Sequence, residues 1–146
     1  MPKALVVYTT RTGETKNIAE LIAEGIRMSG AETTVISSGE IKKGEDLNGY
    51  DAYVFGSATY HGDMMSGMKT FLFMAEKATL EGKLGGAFGA FGWSGEAPGR
   101  IYDTMKNVFK MDLVSGPFRL KSASLGGGTQ MAQDYGKELG KKCVES

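Results

Sequence analysis

A run of hydroxyl side chains lies between an apolar segment and a helical pattern near the start of the chain. Residues 8–15 read Tyr-Thr-Thr-Arg-Thr-Gly-Glu-Thr and follow the apolar residues 4–7. The first N–H groups of a helix lack backbone partners and carry the positive end of its dipole, so such a turn suits an anion, usually phosphate. The threonine hydroxyls would add hydrogen bonds and Arg11 would add positive charge. Ordinary helix capping is the competing interpretation of the same residue types.

Two motifs that the chain lacks narrow the choice of phosphate ligand. A dinucleotide-binding turn needs Gly-x-Gly-x-x-Gly, whereas Gly13 is the sole glycine of its turn. A nucleoside-triphosphate loop closes on Gly-Lys-Ser or Gly-Lys-Thr, and neither tripeptide occurs in the sequence. A mononucleotide with one phosphate remains as the candidate ligand of this turn.

Two further segments place aromatic residues beside glycines. Residues 56–64 read Gly-Ser-Ala-Thr-Tyr-His-Gly-Asp-Met, and residues 91–96 read Phe-Gly-Trp-Ser-Gly-Glu. Rings on opposing loops can clamp a flat heterocycle such as a flavin while glycine backbone approaches its polar rim. The alternative is that Tyr60 and Trp93 are partly buried loop anchors. His61 is suited to hydrogen-bond the ligand or shuttle protons, or it is a surface histidine.

Acidic and methionine side chains fall in the same loops. Glu14, Asp63 and Glu96 would place carboxylates around the site, where they would oppose a reduced, anionic flavin and lower its reduction potential. They also suit the first turns of helices. The methionines of residues 64–68 could line the bottom of a ligand pocket, although simple core packing explains them equally.

Composition limits the class of protein. The 146 residues predict a single domain over 1–146, and the formal net charge of zero gives no electrostatic footprint for nucleic acid or an anionic membrane. One cysteine, Cys143, precludes an internal disulfide and favours a reduced, cytoplasmic setting. No stretch is long and apolar enough to be a signal peptide or a membrane span. With one histidine and one cysteine, no transition-metal site is expected.

Hydrophobic periodicity predicts strands and helices in alternation. Strands are predicted at 4–7, 33–36, 51–56, 85–91 and within 112–120, the last one interrupted by Gly116-Pro117. Helices are predicted at 13–28, at 68–78, from 97 and from 128. Val108 is predicted to face the core, and Met131, Tyr135, Leu139 and Cys143 follow one another at four-residue spacing in the last helix. This order is typical of a parallel sheet with helices on both faces. The loops 8–15, 57–67 and 91–97 then leave the carboxyl ends of strands, where such sheets bind ligands.

The whole chain resembles short-chain flavodoxins. Residues 8–15 are similar to the flavodoxin phosphate loop, Ser/Thr-x-Thr-Gly-x-Thr, and residues 91–97 resemble the flavin domain of flavodiiron proteins. The resemblance implies a flavodoxin-like, doubly wound α/β fold with a five-stranded parallel sheet in the order 2-1-3-4-5. It implies FMN as the cofactor. The implied FMN-binding residues are Thr9, Thr10, Arg11, Thr12, Gly13, Glu14, Thr15, Ala58, Thr59, Tyr60, His61, Gly62, Phe91, Gly92, Trp93, Ser94, Gly95 and Glu96.

The sequence also departs from the flavodoxin pattern. His61 separates Tyr60 from Gly62-Asp63, so either His61 or Gly62 occupies the position that faces flavin N5 in the family. Residues 56–64 also resemble the NAD(P)H:quinone oxidoreductases of this superfamily. Flavodoxins are usually strongly acidic, whereas this chain is neutral.

The function that the resemblance implies is electron transfer between redox partners, with no catalytic side chain. Iron-sulfur, rubredoxin-like or flavodiiron-type proteins are the implied partners, and the chain is expected to be a monomer or weak homodimer. The alternative is an NAD(P)H-dependent FMN or quinone oxidoreductase on the same fold. A nucleotide-binding regulatory domain without flavin is a third, non-redox possibility.

Overall fold

Strands and helices alternate along the residues that the computed structural model describes, which are 2–60, 62–90, 95–120 and 127–145, with Tyr60 described by its backbone. The strands are β1 Lys3–Thr9, β2 Glu32–Ser37, β3 Ala52–Ser57, β4 Thr59–Tyr60, β5 Asp63–Met64, β6 Leu84–Ala90, β7 Asp112–Leu113 and β8 Phe118–Leu120. The helices are α1 Glu14–Met28, α2 Ser66–Ala75, α3 Glu96–Asn107 and α4 Gly128–Glu145, with short 3-10 turns at Ser38–Glu40 and Gly44–Leu47. Within these ranges, no helix has the length and hydropathy needed to cross a bilayer.

The main sheet is parallel and has the order β2-β1-β3-β6-β7, with β8 also paired to β6. Strand β1 lies between β2 and β3, so that Val6 is opposite both Val35 and Val54. The fifth position is shared, because β7 pairs with the start of β6 and β8 with its end. Pro117, which has no N–H to donate, lies in the interruption. The predicted doubly wound fold with strand order 2-1-3-4-5 is confirmed.

Two cores lie on the two faces of the sheet. On β1, Ala4 and Val6 point into the core beneath α1 and α4, whereas Leu5 and Val7 point into the core beneath α2 and α3. This alternation follows from the two-residue period of a strand that is buried on both faces. The helices on each face thereby hold the carboxyl ends of β1, β3 and β6 in fixed positions at one edge of the sheet.

Three details differ from the expectations. The loop 57–67 contains a two-stranded antiparallel hairpin, β4–β5, and α2 begins at Ser66. The prediction that Val108 faces the core is wrong: α3 ends at Asn107, the helical register no longer applies, and Val108 is 53% exposed. Met131, the first residue of the four-residue series in the last helix, is 49% exposed, because the buried stripe of α4 continues from Gly128 to Ala132.

Candidate functional site

The turn after β1 leads directly into the start of α1. Gly13 adopts the left-handed conformation, with φ of 94°, and its N–H donates to Thr10 Oγ1 at 2.9 Å. Asn17 donates the first helical N–H, to Gly13 O at 3.0 Å. The N–H groups of residues 14–16 therefore precede the first intrahelical bond and point out of the helix start, which gives the turn three donors for an anion.

Thr15 supplies the most informative atom of this turn. Its side chain is fully buried, and among the described residues its Oγ1 is the buried side-chain polar atom that has no hydrogen-bond partner. Burying a hydroxyl without a partner costs about 1–3 kcal/mol. No atom lies within 4 Å of the point where a side chain on Gly13 would begin, so there is open space at the turn. A ligand oxygen at this helix start would satisfy the Thr15 hydroxyl.

The other hydroxyls of the turn have different surroundings. Thr9 Oγ1 lies 2.6 Å from Ser38 Oγ, so Thr9 ties the end of β1 to the residue that follows β2. Thr10 shapes the turn through its bond from Gly13 N–H. Arg11 and Thr12 are exposed at the surface, and Glu14 is half-buried. Of the predicted cofactor-binding residues in this turn, Thr9 and Thr10 therefore form hydrogen bonds within the protein. Phosphate binding by residues 10–15 stays a prediction.

The second loop is joined to the end of β1 through backbone. Ala58 N–H donates to Thr9 O at 3.3 Å. Ser57, which is fully buried, accepts a bond from Met65 N–H at 3.0 Å and donates to Ala58 O at 2.9 Å. The sequence pattern did not mark Ser57 as a site residue, because its role depends on a contact across the hairpin. These bonds fix the base of the β4–β5 hairpin beside the end of β1.

The second loop is also joined to the start of α3. Thr59 Oγ1 accepts a hydrogen bond from Ala97 N–H at 3.1 Å. Gly62 has φ of 74°, and Glu96 Oε2 lies 3.1 Å from the point where a side chain on Gly62 would begin. The structure therefore brings Ala58, Thr59, Gly62 and Glu96 together at the edge where the strands end.

A Thr59→Val variant is expected to lower the free energy of unfolding by about 1 kcal/mol, because Ala97 N–H loses its acceptor. The exchange rate of the Ala97 amide should rise, since a first-turn N–H has no intrahelical partner. Denaturant unfolding and amide exchange followed by NMR would measure both effects. Thr104→Val is the matched control, because the Thr104 hydroxyl donates within α3 to Arg100 O. Equal effects of the two substitutions would contradict the proposed loop link.

Asp63 is paired with two cations. Its carboxylate lies 2.6 Å from Lys69 Nζ of α2 and 3.5 Å from Arg100 Nε of α3. The hydrogen bond from Lys69 is the main cause that holds the pKa of Asp63 below its ordinary value, with contributions from the Met64 N–H and the charge of Arg100. Helices α2 and α3 therefore supply counter-charges to Asp63, which the sequence pattern did not reveal.

Arg119 is a site neighbour that the sequence pattern did not reveal. Its Nε donates to Gly95 O at 2.7 Å, and its side chain covers Gly95. Gly95 is the N-cap residue of α3 and has non-helical backbone, with φ of −126° and ψ of 41°. Arg119 thus connects β8 to the point where the third loop enters α3.

Several predicted site residues lie outside the described part of the chain. These are His61, Phe91, Gly92, Trp93 and Ser94, together with the side chain of Tyr60. Stacking of Tyr60 and Trp93 on a flat ligand, and a role for His61, stay predictions. Met64 and Met68 are buried in the core beneath α2 and α3, as simple packing requires. The described ranges contain no cluster of His, Cys, Asp and Glu that could hold a metal ion.

Comparison with known proteins gives a consistent result. A family model described as a flavodoxin domain matches residues 5–131. An NAD(P)H dehydrogenase (quinone) from Archaeoglobus fulgidus is 33% identical over 122 residues, which are 67% of this chain and 64% of that protein, so the chain spans less than two thirds of this relative. The structure of a flavodoxin from the domain Archaea superposes with a TM-score of 0.91 at 31% identity, covering 97% of this chain and 99% of that one. The flavodiiron protein from Giardia intestinalis superposes with a TM-score of 0.84 at 26% identity, covering 98% of this chain and 36% of that one.

Proposed function

The chain belongs to the flavodoxin family, and from this premise we propose that it binds FMN and carries electrons between redox partners. When bound, FMN supplies the electron-transfer chemistry, and the protein binds it, orients it and tunes its potential. The observation that carries the proposal is the buried, unpaired Thr15 hydroxyl at the start of α1. A phosphate monoester at that helix start matches the donors that the turn presents.

The residues of the turn have distinct proposed roles. Gly13 and Thr10 hold the turn open, and the N–H groups of residues 14–16 donate to phosphate oxygens together with Thr15 Oγ1. Thr12 adds a second hydroxyl from the surface side. Arg11 adds positive charge near a ligand that carries negative charge.

The second and third loops are proposed to hold the isoalloxazine ring. The proposed contacts are made by Thr9 and by two ranges, 58–62 and 91–96. The bond from Ala97 N–H to Thr59 Oγ1 supports this proposal, because it joins the two loops at one end of the sheet. Tyr60 and Trp93 would stack on the ring, and the Gly62 turn would approach its polar rim.

The second candidate function is NAD(P)H-dependent reduction of a quinone or of free FMN. The 33% identity to the Archaeoglobus fulgidus protein, together with the Gly56–Met64 pattern, favours it specifically. Such an enzyme needs room over the flavin for nicotinamide or quinone, and Trp93 lying flat on the ring would fill that space. The two functions therefore predict different rates of steady-state turnover with NAD(P)H and a quinone.

Titration of the apoprotein with FMN is expected to quench flavin fluorescence with saturation at one equivalent, whereas riboflavin should bind more weakly because it lacks the phosphate. The FMN-loaded protein should then show negligible steady-state turnover with NADPH and a quinone. A protein that takes up no FMN would contradict the proposal and favour a flavin-free nucleotide-binding domain. Rapid turnover would favour the quinone reductase.

Redox proteins are the partners of an electron carrier, and we propose small iron-sulfur, rubredoxin-like or flavodiiron-type proteins. The similarity to the flavodiiron protein from Giardia intestinalis supports the last class. A cytoplasmic location is proposed because Cys143 is a buried thiol, which suits a reducing compartment. The proposed assembly is a monomer or weak homodimer, which sedimentation of the FMN-loaded protein would test.

A further inference from the structure

Two cations from two different helices converge on one carboxylate in the second loop. Lys69 of α2 and Arg100 of α3 both lie within ion-pair distance of Asp63, at 2.6 Å and 3.5 Å. Asp63 is the first residue of β5 and follows the Gly62 turn directly. Its carboxylate is therefore fully compensated at the tip of the loop that is proposed to contact the flavin ring.

The position of Asp63 does not depend on these ion pairs alone. Asp63 Oδ1 accepts a hydrogen bond from Met64 N–H at 2.7 Å, and β5 is paired with β4. The Lys69 and Arg100 side chains are more exposed, at 56% and 57%, than that of Asp63, at 30%. Replacing either cation by an uncharged residue should therefore leave the carboxylate in place and change the local charge.

The Gly62 turn lies among charges of both signs. Glu96 Oε2 lies beside Gly62, Asp63 is paired with Lys69 and Arg100, and the Arg119 side chain lies against Gly95 at the start of α3. Losing one of the two cations paired with Asp63 makes the net charge near the turn more negative by one unit. Losing the charge of Asp63 makes it more positive by one unit.

We propose that Lys69 and Arg100 set the preference of the site for reduced over oxidised FMN by neutralising Asp63 beside the Gly62 turn. This inference rests on the proposed function. Oxidised FMN that takes up two electrons and one proton gains one negative charge on its ring system, so an uncompensated carboxylate nearby weakens the reduced form selectively. Because binding and reduction are linked, the logarithm of the ratio of the two dissociation constants is proportional to the shift in the two-electron potential between free and bound FMN.

The test compares that ratio, Kd for reduced FMN over Kd for oxidised FMN, across charge variants, with dithionite as the reductant. Lys69→Met and Arg100→Met should each raise the ratio about two- to fivefold, the size of a unit charge at close range in a solvated site. Asp63→Asn should lower it by a similar factor, because the amide keeps an acceptor for Met64 N–H. Asp63→Asn combined with Lys69→Met should return the ratio to within about twofold of the native value.

Lys77→Met is the matched control, since exposed Lys77 follows the opposite end of α2 and lies against Gly44. Its effect on the ratio should be negligible because salt screens charges beyond about 10 Å. The inference is overturned if Lys69→Met and Arg100→Met change the ratio no more than Lys77→Met does. It is also overturned if they weaken both forms of FMN in parallel, which a purely structural role would produce. Failure to bind FMN at all would instead contradict the proposed function.

Discussion

A Thr15→Val variant is expected to bind FMN roughly 10- to 100-fold more weakly than the native chain. Valine keeps the shape of the buried side chain and removes the hydroxyl that is proposed to donate to the phosphate. A hydrogen bond to a charged group contributes about 1.5–3 kcal/mol, which gives that range. Fluorescence titration of the apoprotein with FMN measures the loss.

The same substitution should have the opposite effect on the apoprotein. In the absence of ligand, Thr15 Oγ1 is buried and has no partner among the described residues, so replacing it by a methyl group should raise the free energy of unfolding by about 1 kcal/mol. Denaturant unfolding with and without FMN would reveal both changes. A residue that only shapes the helix start would not lower FMN affinity while raising the stability of the apoprotein.

Two controls separate an effect of Thr15 on the phosphate from a general effect of substitution. Thr79→Val, at an exposed residue between α2 and β6, should alter neither FMN affinity nor stability by a measurable amount. Riboflavin, which lacks the phosphate, should bind the native chain and the Thr15→Val variant equally well. A variant that loses riboflavin and FMN affinity in the same proportion would show that Thr15 does not act on the phosphate.

The sheet order was predictable because its signals are local. Apolar runs bounded by glycine and polar residues mark β1, β3 and β6, and the helices between them require parallel crossovers of one hand. The interruption of the fifth strand was visible at Gly116-Pro117, since proline cannot donate to a ladder. The β4–β5 hairpin was not predictable, because strands of two residues carry too little periodic pattern.

The turn between β1 and α1 was predictable for the same reason, since it is formed by consecutive residues. The links between loops were not. The bond from Ala97 N–H to Thr59 Oγ1, the ion pairs of Asp63 and the bond from Arg119 to Gly95 O each join residues far apart in sequence. Spacing along one chain segment does not determine such contacts, because they depend on how separate elements pack.

The contact between α1 and α4 links the turn before α1 to the core. The buried residues of α4 include Gly136, which faces the backbone of α1. A side chain on Gly136 would collide with the carbonyl oxygen of Ile22. Because α1 carries at its start the N–H groups that are proposed to bind the phosphate, any displacement of this helix also moves the proposed donors.

A Gly136→Ala variant is expected to lower the free energy of unfolding by roughly 3 kcal/mol. Alanine favours the helical backbone by about 1 kcal/mol over glycine, but its methyl group would force two packed helix backbones apart, and neither can yield by a side-chain rotation. For a domain of this size the expected fall in Tm is about 10 °C. Thermal and denaturant unfolding of the apoprotein measure the loss.

Gly116→Ala is the matched control for this effect. Gly116 has no atom within 4 Å of the point where a side chain would begin and does not have positive φ, so alanine there should be neutral or stabilise slightly. Saturating FMN should restore part of the stability of Gly136→Ala, because a ligand that binds the folded state raises its stability by mass action. If Gly136→Ala were as stable as Gly116→Ala, the two helices would not pack as closely as their backbones indicate. If a fixed FMN concentration stabilised Gly136→Ala and the native chain by the same increment, α1 would not couple the helix contact to the turn that is proposed to bind phosphate.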